Sequence, residues 1–224
     1  MKKLLILSGK GGTGKTTTSA AFIQFAQARA FADCDVDAPN LHLVHAVEGA
    51  PEAFDHLGSE KASIDPELCT GCGICADACR FDAIRREGDR CRVDPYACEG
   101  CGVCAYVCPQ KAVELQEDVA GQVLLYQGEQ AFSTARLRTG RGNSGKLVSE
   151  VKLALFKHAP QADLAILDGS PGIGCPVISV HQRSGPGAGG DGALPLGPQR
   201  FGAGAAHRRR FFRQKPRCAS TRRT

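Results

Sequence analysis

Two runs of cysteines carry the clearest chemistry in this sequence of 224 residues. Each run has the spacing Cys-x2-Cys-x2-Cys-x3-Cys, and the second begins 29 residues after the first. The flanking residues repeat as well, as CTGCGICADACRFDAI and CEGCGVCAYVCPQKAV, which indicates an internal duplication. Closely spaced thiolates bind metal, and Cys-x2-Cys pairs serve in zinc sites as well as in iron–sulfur sites. A zinc site requires neither the third and fourth cysteine at these intervals nor their duplication, so the pattern favours iron–sulfur clusters.

The spacing is that of bacterial two-cluster ferredoxins, in which the fourth cysteine of each run ligates the cluster of the other run. We therefore expect two 4Fe-4S clusters. The first would be held by Cys69, Cys72, Cys75 and Cys108, and the second by Cys98, Cys101, Cys104 and Cys79. The fourth cysteine of the first run is followed by Arg80, whereas that of the second run is followed by Pro109. This difference concerns the local turn rather than the ligands.

A glycine-rich segment near the N-terminus is the second chemical motif. Residues 9–16 read GKGGTGKT and fit the phosphate-loop pattern G-x-x-x-x-G-K-S/T, between a predicted strand and a predicted helix. Glycines let backbone N–H groups converge on phosphate oxygens, and a helix N-terminus adds the positive end of its dipole. In this pattern Lys15 would reach the β- and γ-phosphates of ATP, and the Thr16 hydroxyl would hold Mg²⁺.

The elements that must position these motifs alternate between strands and helices. Apolar runs at residues 4–7, 29–34 and 164–167 predict buried strands, and the first of them leads into the glycine loop. Residues 16–28 have helical composition, and residues 146–158 place apolar side chains at helical spacing. This order predicts an α/β fold with a parallel sheet, interrupted by the cysteine-rich region.

Lys10 extends the loop to KGGTGKTT, which resembles the deviant Walker A motif of the MinD, ParA and Mrp class of P-loop ATPases. In that class the extra lysine reaches the phosphates held by a partner subunit. The segment DCD at residues 33–35 resembles switch I, in which Asp35 would position Mg²⁺-bound or attacking water. The segment DGSPG at residues 168–172 resembles the Walker B and switch II region, in which Asp168 lies beside Mg²⁺. An aspartate at a strand end is, on its own, as often only a helix cap.

The resemblance implies a set of site residues for the nucleotide. The expected catalytic residues are Lys10, Lys15 and Asp35. The expected nucleotide-binding residues are Gly9, Lys10, Gly11, Gly12, Thr13, Gly14, Lys15, Thr16, Thr17 and Asp168.

Taken together, the motifs resemble MinD-superfamily P-loop ATPases that carry an inserted two-cluster ferredoxin domain, over residues 1–179. The resemblance implies a parallel-sheet P-loop NTPase core at residues 1–61 and 119–180, with a bacterial-type α+β ferredoxin domain at residues 62–118. It implies ATP, Mg²⁺ and two 4Fe-4S clusters as ligands. It also implies dimerisation through the nucleotide face, with a second copy or a paralogue, and a redox or cluster-assembly partner that the sequence does not identify.

The favoured function is that of an ATP-binding and ATP-hydrolysing iron–sulfur protein, which couples nucleotide state to electron transfer or to iron–sulfur or metallocofactor assembly. One alternative is a ferredoxin-type electron carrier with a non-functional ATPase remnant. Another is a positioning ATPase similar to MinD or ParA, which would need a membrane-binding amphipathic helix or a DNA-binding patch. The basic C-terminal residues have no apolar stripe beside them, so the first reading is preferred.

Residues 181–224 do not continue the α/β pattern. They contain no Val, no Ile and eight Gly, and nine of the 28 basic residues of the chain lie at positions 200–223 without an acidic residue. We therefore expect a disordered basic tail and an ATPase core that is incomplete at its C-terminus. Codons for residues 185–194, read one nucleotide later, permit the sequence DLALVVTEP. This resembles the next strand of the family, so the hypothesis is a truncated or frameshifted C-terminus.

Composition excludes several classes of function. No apolar run approaches the roughly 18 residues of a membrane span. The apolar stretch at the N-terminus is too short for a signal peptide, so we expect a cytoplasmic protein in which thiols stay reduced. Outside residues 200–223, 23 acidic residues face 19 basic ones, which gives no basis for a specific nucleic-acid partner.

Four cysteines lie outside the two runs. Cys34 is expected in the core, while Cys91 and Cys218 belong to no motif. Cys175 follows the second switch segment, where a ligand to a cluster shared between subunits competes with simple packing.

Overall fold

The computed structural model describes residues 1–142, 144–159, 161–172, 175–181 and 191–196. The helices are α1 (Lys15–Phe25), α2 (Leu41–Val44), α3 (Ile74–Asp77), α4 (Val103–Val107), α5 (Ser144–His158) and α6 (Cys175–His181). The strands are β1 (Lys2–Ser8), β2 (Ala30–Asp33), β3 (Glu52–Leu57), β4 (Lys61–Ile64), β5 (Ile84–Glu87), β6 (Arg90–Val93), β7 (Val113–Gln116), β8 (Val119–Gln127), β9 (Ala131–Leu137), β10 (Leu164–Asp168) and β11 (Asp191–Leu196).

Seven of these strands form one sheet in the order β11-β1-β10-β2-β9-β8-β3. The pairs from β11 to β9 are parallel, whereas β8 pairs antiparallel with both β9 and β3. The carboxyl ends of β1, β2 and β10 lie at one edge of the sheet, because Leu5 is in register with Leu167 and Ala32 with the same residue. The prediction of a mostly parallel α/β core is therefore confirmed.

Side chains on the central strands alternate between the two faces of the sheet, as the two-residue repeat of a strand requires. On one face Leu5, Ala32 and Leu167 pack with the apolar side of α5. On the other face Ile6, Phe31 and Ile166 pack with Ile23 of α1. Burial on both faces explains why these strands are continuous apolar runs in the sequence.

The cysteine-rich insert has its own small core. Strand β4 pairs antiparallel with β7 where the insert begins and ends, and β5 and β6 form a hairpin between the two cysteine runs. The short helices α3 and α4 each begin two residues after the second cysteine of a run and carry the third cysteine of that run. The core of the insert consists mainly of these cysteines with Ala62, Ala83, Ile84 and Val113.

Strands β9 and β3 of the large sheet were not expected from the sequence. Strand β9 has the sequence AFSTARL, in which small and polar residues interrupt any apolar run, yet Phe132 and Ala135 are fully buried. Strand β3 has the sequence EAFDHL and contains the fully buried His56. Strand β3 joins the sheet through antiparallel pairing with β8, whereas β9 lies between β2, with which it pairs parallel, and β8, with which it pairs antiparallel.

Two pieces of the segment predicted as a disordered tail from residue 181 are described as regular elements. His181 ends α6, and the backbone of β11 pairs parallel with β1, with Leu4 opposite Gly192. A strand can be formed here by backbone hydrogen bonds without the β-branched residues that the sequence argument required. Residues 182–190 and 197–224, including Cys218, lie outside the described part of the chain, as does the side chain of Cys175.

Candidate functional site

The loop between β1 and α1 surrounds an open pocket of about 350 Å³. Its lining consists of Ser8, Lys10, Gly11, Gly12, Thr13, Gly14, Lys15, Thr16, Thr17, Asp35, Asn40 and Pro171. Gly14 has a φ of +78°, which residues with a side chain rarely adopt, and it leaves α1 without a side-chain cap. The first turn of α1 has no acidic residue either. The helix therefore presents uncapped N–H groups and the positive end of its dipole to an anion.

Lys15 and Asp168 form a buried ion pair next to this pocket. The Lys15 Nζ lies 2.8 Å from Asp168 Oδ1, and the two side chains are 7% and 0% exposed. Within the described residues the other carboxylate oxygen of Asp168, Oδ2, is buried without a hydrogen-bond partner. A buried acceptor of this kind is costly. Asp168 Oδ2 can therefore bind a cation or accept a hydrogen bond from a water that a cation holds.

Backbone hydrogen bonds fix Asp168 between the two strands that flank it. Its carbonyl oxygen accepts from the N–H of Cys34 at 2.8 Å, and the N–H of Gly169 donates to the carbonyl of Ile6 at 3.0 Å. The Ser170 hydroxyl donates to the carbonyl of Cys34 at 2.7 Å. Both predicted switch segments are thus joined to each other and to β1, the strand that leads into the phosphate loop.

Asp33 organises the first switch segment and received no role of its own in the sequence analysis. One oxygen of its buried carboxylate accepts from the N–H of Asp35 at 3.0 Å. The other accepts from the N–H groups of Asn40 at 2.8 Å and Leu41 at 2.9 Å. These bonds bring Asn40 to the pocket, where the Thr16 hydroxyl donates to its Oδ1 at 2.9 Å. Asn40 was missed because only the folded loop places it beside Thr16.

Asp35 lines the pocket as expected, and its pKa is raised to about 6. Burial is the main cause, and the negative charges of Asp33 and Asp37 add to it, while the Lys15 ammonium acts in the opposite direction. The neighbouring Cys34 is fully buried, and burial raises the pKa of its thiol. The Cys34 thiol therefore stays protonated and belongs to the core, as expected.

Lys10 is exposed at the mouth of the pocket. Its carbonyl oxygen accepts from the Ser8 hydroxyl at 2.9 Å and from the Thr13 hydroxyl at 3.4 Å. These two bonds hold the loop backbone on either side of Lys10. Of the remaining predicted nucleotide residues, Gly9 is exposed in the same loop but does not line the pocket.

The eight cysteines of the two runs are divided between two pockets in the insert. The first pocket contains Cys69, Cys72, Cys75 and Cys108, and the second contains Cys79, Cys98, Cys101 and Cys104. Each pocket thus takes three cysteines from one run and one from the other, which is the division that the spacing predicts. In the described part of the chain no three Cys, His, Asp or Glu side chains converge on one point as ligands of a single ion do. Thiolates that hold a four-iron cluster surround a cube instead.

The two pockets are related by the duplication of the sequence. A Cβ at Gly100 would lie 2.0 Å from the carbonyl oxygen of Glu60, and one at Gly71 would lie 2.3 Å from that of Asp89. Glu60 and Asp89 are 29 residues apart, as are the two glycines. Backbone N–H groups also point at cysteine sulfur, since Ala112 N–H donates to Cys108 Sγ at 3.3 Å. N–H donors and close backbone approach at thiolates are what an iron–sulfur site requires.

The first pocket contains a fifth cysteine that no motif indicated. Cys91 on β6 lines it together with the four expected residues and is 7% exposed. Burial raises the pKa of Cys75 to about 12, and a hydrogen bond with the Cys91 thiol acts in the same direction. N–H groups of Gly71 and Cys91 lower the pKa of Cys69.

Arg141 joins the insert to the sheet. Its Nη2 lies 2.8 Å from Asp118 Oδ1, and its Nη1 donates to the carbonyl of Pro95 at 2.9 Å. The guanidinium carbon lies 5.2 Å from the centre of the Tyr96 ring. Both partners of this ion pair are mostly buried, at 14% and 15% exposure, so the contact is held more firmly than a surface pair.

Comparison with protein families identifies the insert. Residues 62–85 and 92–114 each match the model of the 4Fe-4S binding domain. This part of the chain is a 4Fe-4S binding domain. Its two matches correspond to the two halves of the duplication, and each includes four of the predicted ligands.

Two curated relatives come from Methanocaldococcus jannaschii. The chain is 37% identical to an uncharacterized protein over 183 residues, which are 80% of this chain and 63% of the relative. It is 39% identical over 72 residues to an uncharacterized ATP-binding protein, covering 30% of this chain and 27% of the relative. The chain thus spans under two thirds of the length of these relatives.

Among solved structures, the chain is similar to the septum site-determining protein MinD complexed with Mg-ADP from Pyrococcus horikoshii. The identity is 18%, and the TM-score is 0.35 over 80% of this chain and 52% of that one. No helix within the described ranges is both long enough and apolar enough to cross a membrane.

Proposed function

We propose that this protein binds and hydrolyses ATP, and that its nucleotide state is coupled to electron transfer by its iron–sulfur clusters or to iron–sulfur or metallocofactor assembly. The observation that carries the proposal is the buried Lys15–Asp168 pair next to the phosphate-loop pocket. At this place the Lys15 ammonium can leave the Asp168 carboxylate and bind a phosphate group instead. One of the relatives from Methanocaldococcus jannaschii is described as an ATP-binding protein, which agrees with this proposal.

ATP is the substrate in this proposal, and the loop residues bind its phosphates. Lys15 supplies the counter-charge, and the N–H groups of residues 9–16 donate to phosphate oxygens. When Lys15 turns to phosphate, Asp168 is left with two free carboxylate oxygens. Asp168 and the Thr16 hydroxyl are the hard oxygen groups that would hold Mg²⁺, which supplies further charge neutralisation at the phosphates.

Asp35 is the residue placed to act on water. It lines the pocket, and a pKa of about 6 leaves it ionised at neutral pH yet basic enough to accept a hydrogen bond or a proton from an attacking water. The carboxylate of Asp33 holds the Asp35 backbone in place. The proposed catalytic set is thus Lys15, Asp35 and, from the partner subunit of a dimer formed through the nucleotide face, Lys10.

Each of the two pockets in the insert contains the four thiols expected as ligands of one cluster, with N–H donors at sulfur, and this donor set fits two 4Fe-4S clusters. Such clusters supply one-electron transfer when bound. Their thiolate ligands need a reducing compartment, so we place the protein in the cytoplasm.

A continuous series of contacts runs from the nucleotide pocket to the insert and supports coupling. The residue after Asp35 is Val36, whose carbonyl oxygen accepts from the N–H of Leu137 at 3.1 Å, at the end of β9. The N–H of Arg141 bonds the carbonyl of Arg138 at 3.0 Å, and the Arg141 side chain reaches Pro95. Pro95 lies three residues before Cys98 in the second pocket. A change in the first switch segment thus has a mechanical route to a cluster ligand.

The test is nucleotide binding by the full chain, purified without oxygen. Titration calorimetry with Mg-ATP is expected to show binding by the wild type and a loss of at least about 100-fold in affinity for Lys15→Ala, because the phosphates lose their main counter-charge. The matched control is Lys157→Ala, which removes an exposed lysine from the last turn of α5. The control is expected to bind as the wild type does.

Two results would contradict the proposal. Wild-type protein with its full complement of iron and sulfide but without affinity for Mg-ATP would instead favour a ferredoxin-type electron carrier with an ATPase remnant. Equal affinity of the wild type and Lys15→Ala would show that the phosphate loop is not the nucleotide site.

A further inference from the structure

The first cysteine pocket holds one thiol more than the second. Cys91 lies on β6 beside the four expected ligands of the first pocket and is buried. Its thiol is in hydrogen-bonding contact with the sulfurs of Cys69 and Cys75. A fifth sulfur therefore contacts two of the four sulfurs that would hold the first cluster.

The duplication provides an internal comparison for this position. The residue 29 positions before Cys91 is Ala62, and Ala62 lines the second pocket. Both residues use their backbone in the same way: the Ala62 N–H donates to Cys98 Sγ at 3.4 Å, and the Cys91 N–H bonds Cys69. Since alanine fills the position in one pocket, neither the backbone geometry nor the packing of the repeat demands a thiol in the other.

We propose that Cys91 is not a ligand but donates an S–H···S hydrogen bond to the sulfur ligands of the first cluster, and that this makes the first cluster easier to reduce than the second. The inference rests on the two clusters of the proposed function. A cluster with four thiolates is an anion and becomes more negative by one charge when it takes up an electron. A donor at its sulfur stabilises the reduced form more than the oxidised one.

In this arrangement the S–H bond of Cys91 stays intact, and one electron enters or leaves the cluster without transfer of a proton. The second pocket has a methyl group at this position and lacks such a donor.

The experiment is a redox titration of the full-length protein, followed by electron paramagnetic resonance. Three variants are compared with the wild type: Cys91→Ala, Cys91→Ser and Ala62→Cys. Cys91→Ala is expected to move one midpoint to a more negative potential and to leave the other unchanged. At the ambient potential that half-reduces this cluster in the wild type, its reduced-to-oxidised ratio falls about threefold or more, where 59 mV corresponds to a factor of ten.

The other two variants identify the cluster and the chemistry. Cys91→Ser retains a hydrogen-bond donor and is expected to keep the midpoint at or above that of Cys91→Ala. Ala62→Cys places the thiol in the second pocket and is expected to raise the midpoint that Cys91→Ala does not move.

Several outcomes would overturn the inference. With eight irons per chain retained, unchanged midpoints in Cys91→Ala would show that the thiol does not act on the cluster. A Cys91→Ala protein with only four irons would show that Cys91 holds the cluster rather than donating to it. Wild-type protein without about eight irons and eight sulfides would refute the two clusters themselves, and this is visible before any variant is made.

Discussion

Asp35 connects burial with reactivity at the nucleotide pocket. Burial raises its pKa to about 6, so the folded protein favours the protonated form more than the unfolded chain does, in which the pKa is 3.8. The cost of this ionised side chain to stability therefore grows as the pH rises from about 4 to 6 and stays constant above that range. Asp35→Asn is expected to raise the Tm, and by more at pH 8 than at pH 5.

The same carboxylate is expected to set the pH dependence of ATP hydrolysis. The wild-type rate should fall as the pH drops below about 6, because protonated Asp35 no longer accepts from water. Asp35→Asn should hydrolyse slowly and lose this dependence while still binding Mg-ATP. Asp37→Asn, two residues away and exposed, is the control and should hydrolyse ATP at pH 8 as the wild type does. Unchanged hydrolysis in Asp35→Asn would assign the reaction to other groups.

At the scale of single residues, the sequence predicts the groups that belong to short motifs and misses those that reach the site through the fold. Lys15 and Thr16 are indicated by the loop pattern alone. Asn40 and Asp33 are not, because their role consists of hydrogen bonds between residues seven to 24 positions apart. Cys91 belongs to no sequence motif, and only the fold shows that it lies in the first cysteine pocket. An alignment of the two duplicated halves pairs Cys91 with Ala62, so the difference between the halves is visible in the sequence.

At the scale of elements, the loops around the cysteines depend on glycine. Gly100 has a φ of +67°, and its Cβ position lies 2.0 Å from the Glu60 carbonyl oxygen. Gly100→Ala must therefore displace the backbone next to Cys101. We expect a loss of about four irons per chain and a Tm lower by several degrees.

Gly88→Ala is the matched control for this prediction. Gly88, in the β5–β6 turn, has almost the same φ of +65°, but no atom lies within 4 Å of its Cβ position. The left-handed backbone costs both variants about 1 kcal/mol. Only the steric term distinguishes them. Equal iron content and equal Tm in the two variants would show that the loop tolerates a side chain at Gly100.

The sequence predicts two kinds of element: strands that are buried on both faces of the sheet, and segments of the insert that are repeated in the sequence. Strands β1, β2 and β10 are apolar throughout because helices cover both sides of the sheet. The sequence does not predict strand β9, because serine and threonine are typical of loops. In the structure Ser133 is fully buried and Thr134 almost fully buried. Helix α5 is recognised by its spacing and extends two residues further towards the N-terminus than predicted.

At the scale of the whole molecule, Arg141 is the contact expected to carry nucleotide state to the clusters. In the wild type, the midpoint of at least one cluster is expected to differ between Mg-ADP and a nonhydrolysable ATP analogue. Arg141→Ala should abolish this difference while keeping Mg-ATP affinity and eight irons, because it removes only the contacts to Asp118, Pro95 and Tyr96. Arg138→Ala, an exposed arginine three residues earlier, is the control. Identical wild-type midpoints in all nucleotide states would refute coupling.

A second prediction at this scale concerns assembly. Lys10 is exposed at the mouth of the pocket, where a partner's nucleotide would approach it. Lys10→Ala is expected to bind Mg-ATP nearly as the wild type does, but to lose hydrolysis and the ATP-dependent dimer in sedimentation experiments. A monomeric wild type that hydrolyses ATP at full rate would remove the partner from the mechanism.

Because each cysteine pocket contains cysteines of both runs, bound iron would cross-link the two halves of the insert. Each pocket joins cysteines from both runs, as far apart as Cys69 and Cys108, while the aliphatic side chains around them are few and small. The sheet that holds the phosphate loop has a separate apolar core on each of its two faces. Without iron, the segment between β4 and β7 is expected to unfold while that sheet remains. Such a chain would respond to the iron concentration. The part that contains the phosphate loop would stay folded when iron is scarce, whereas the insert would fold only when iron is supplied.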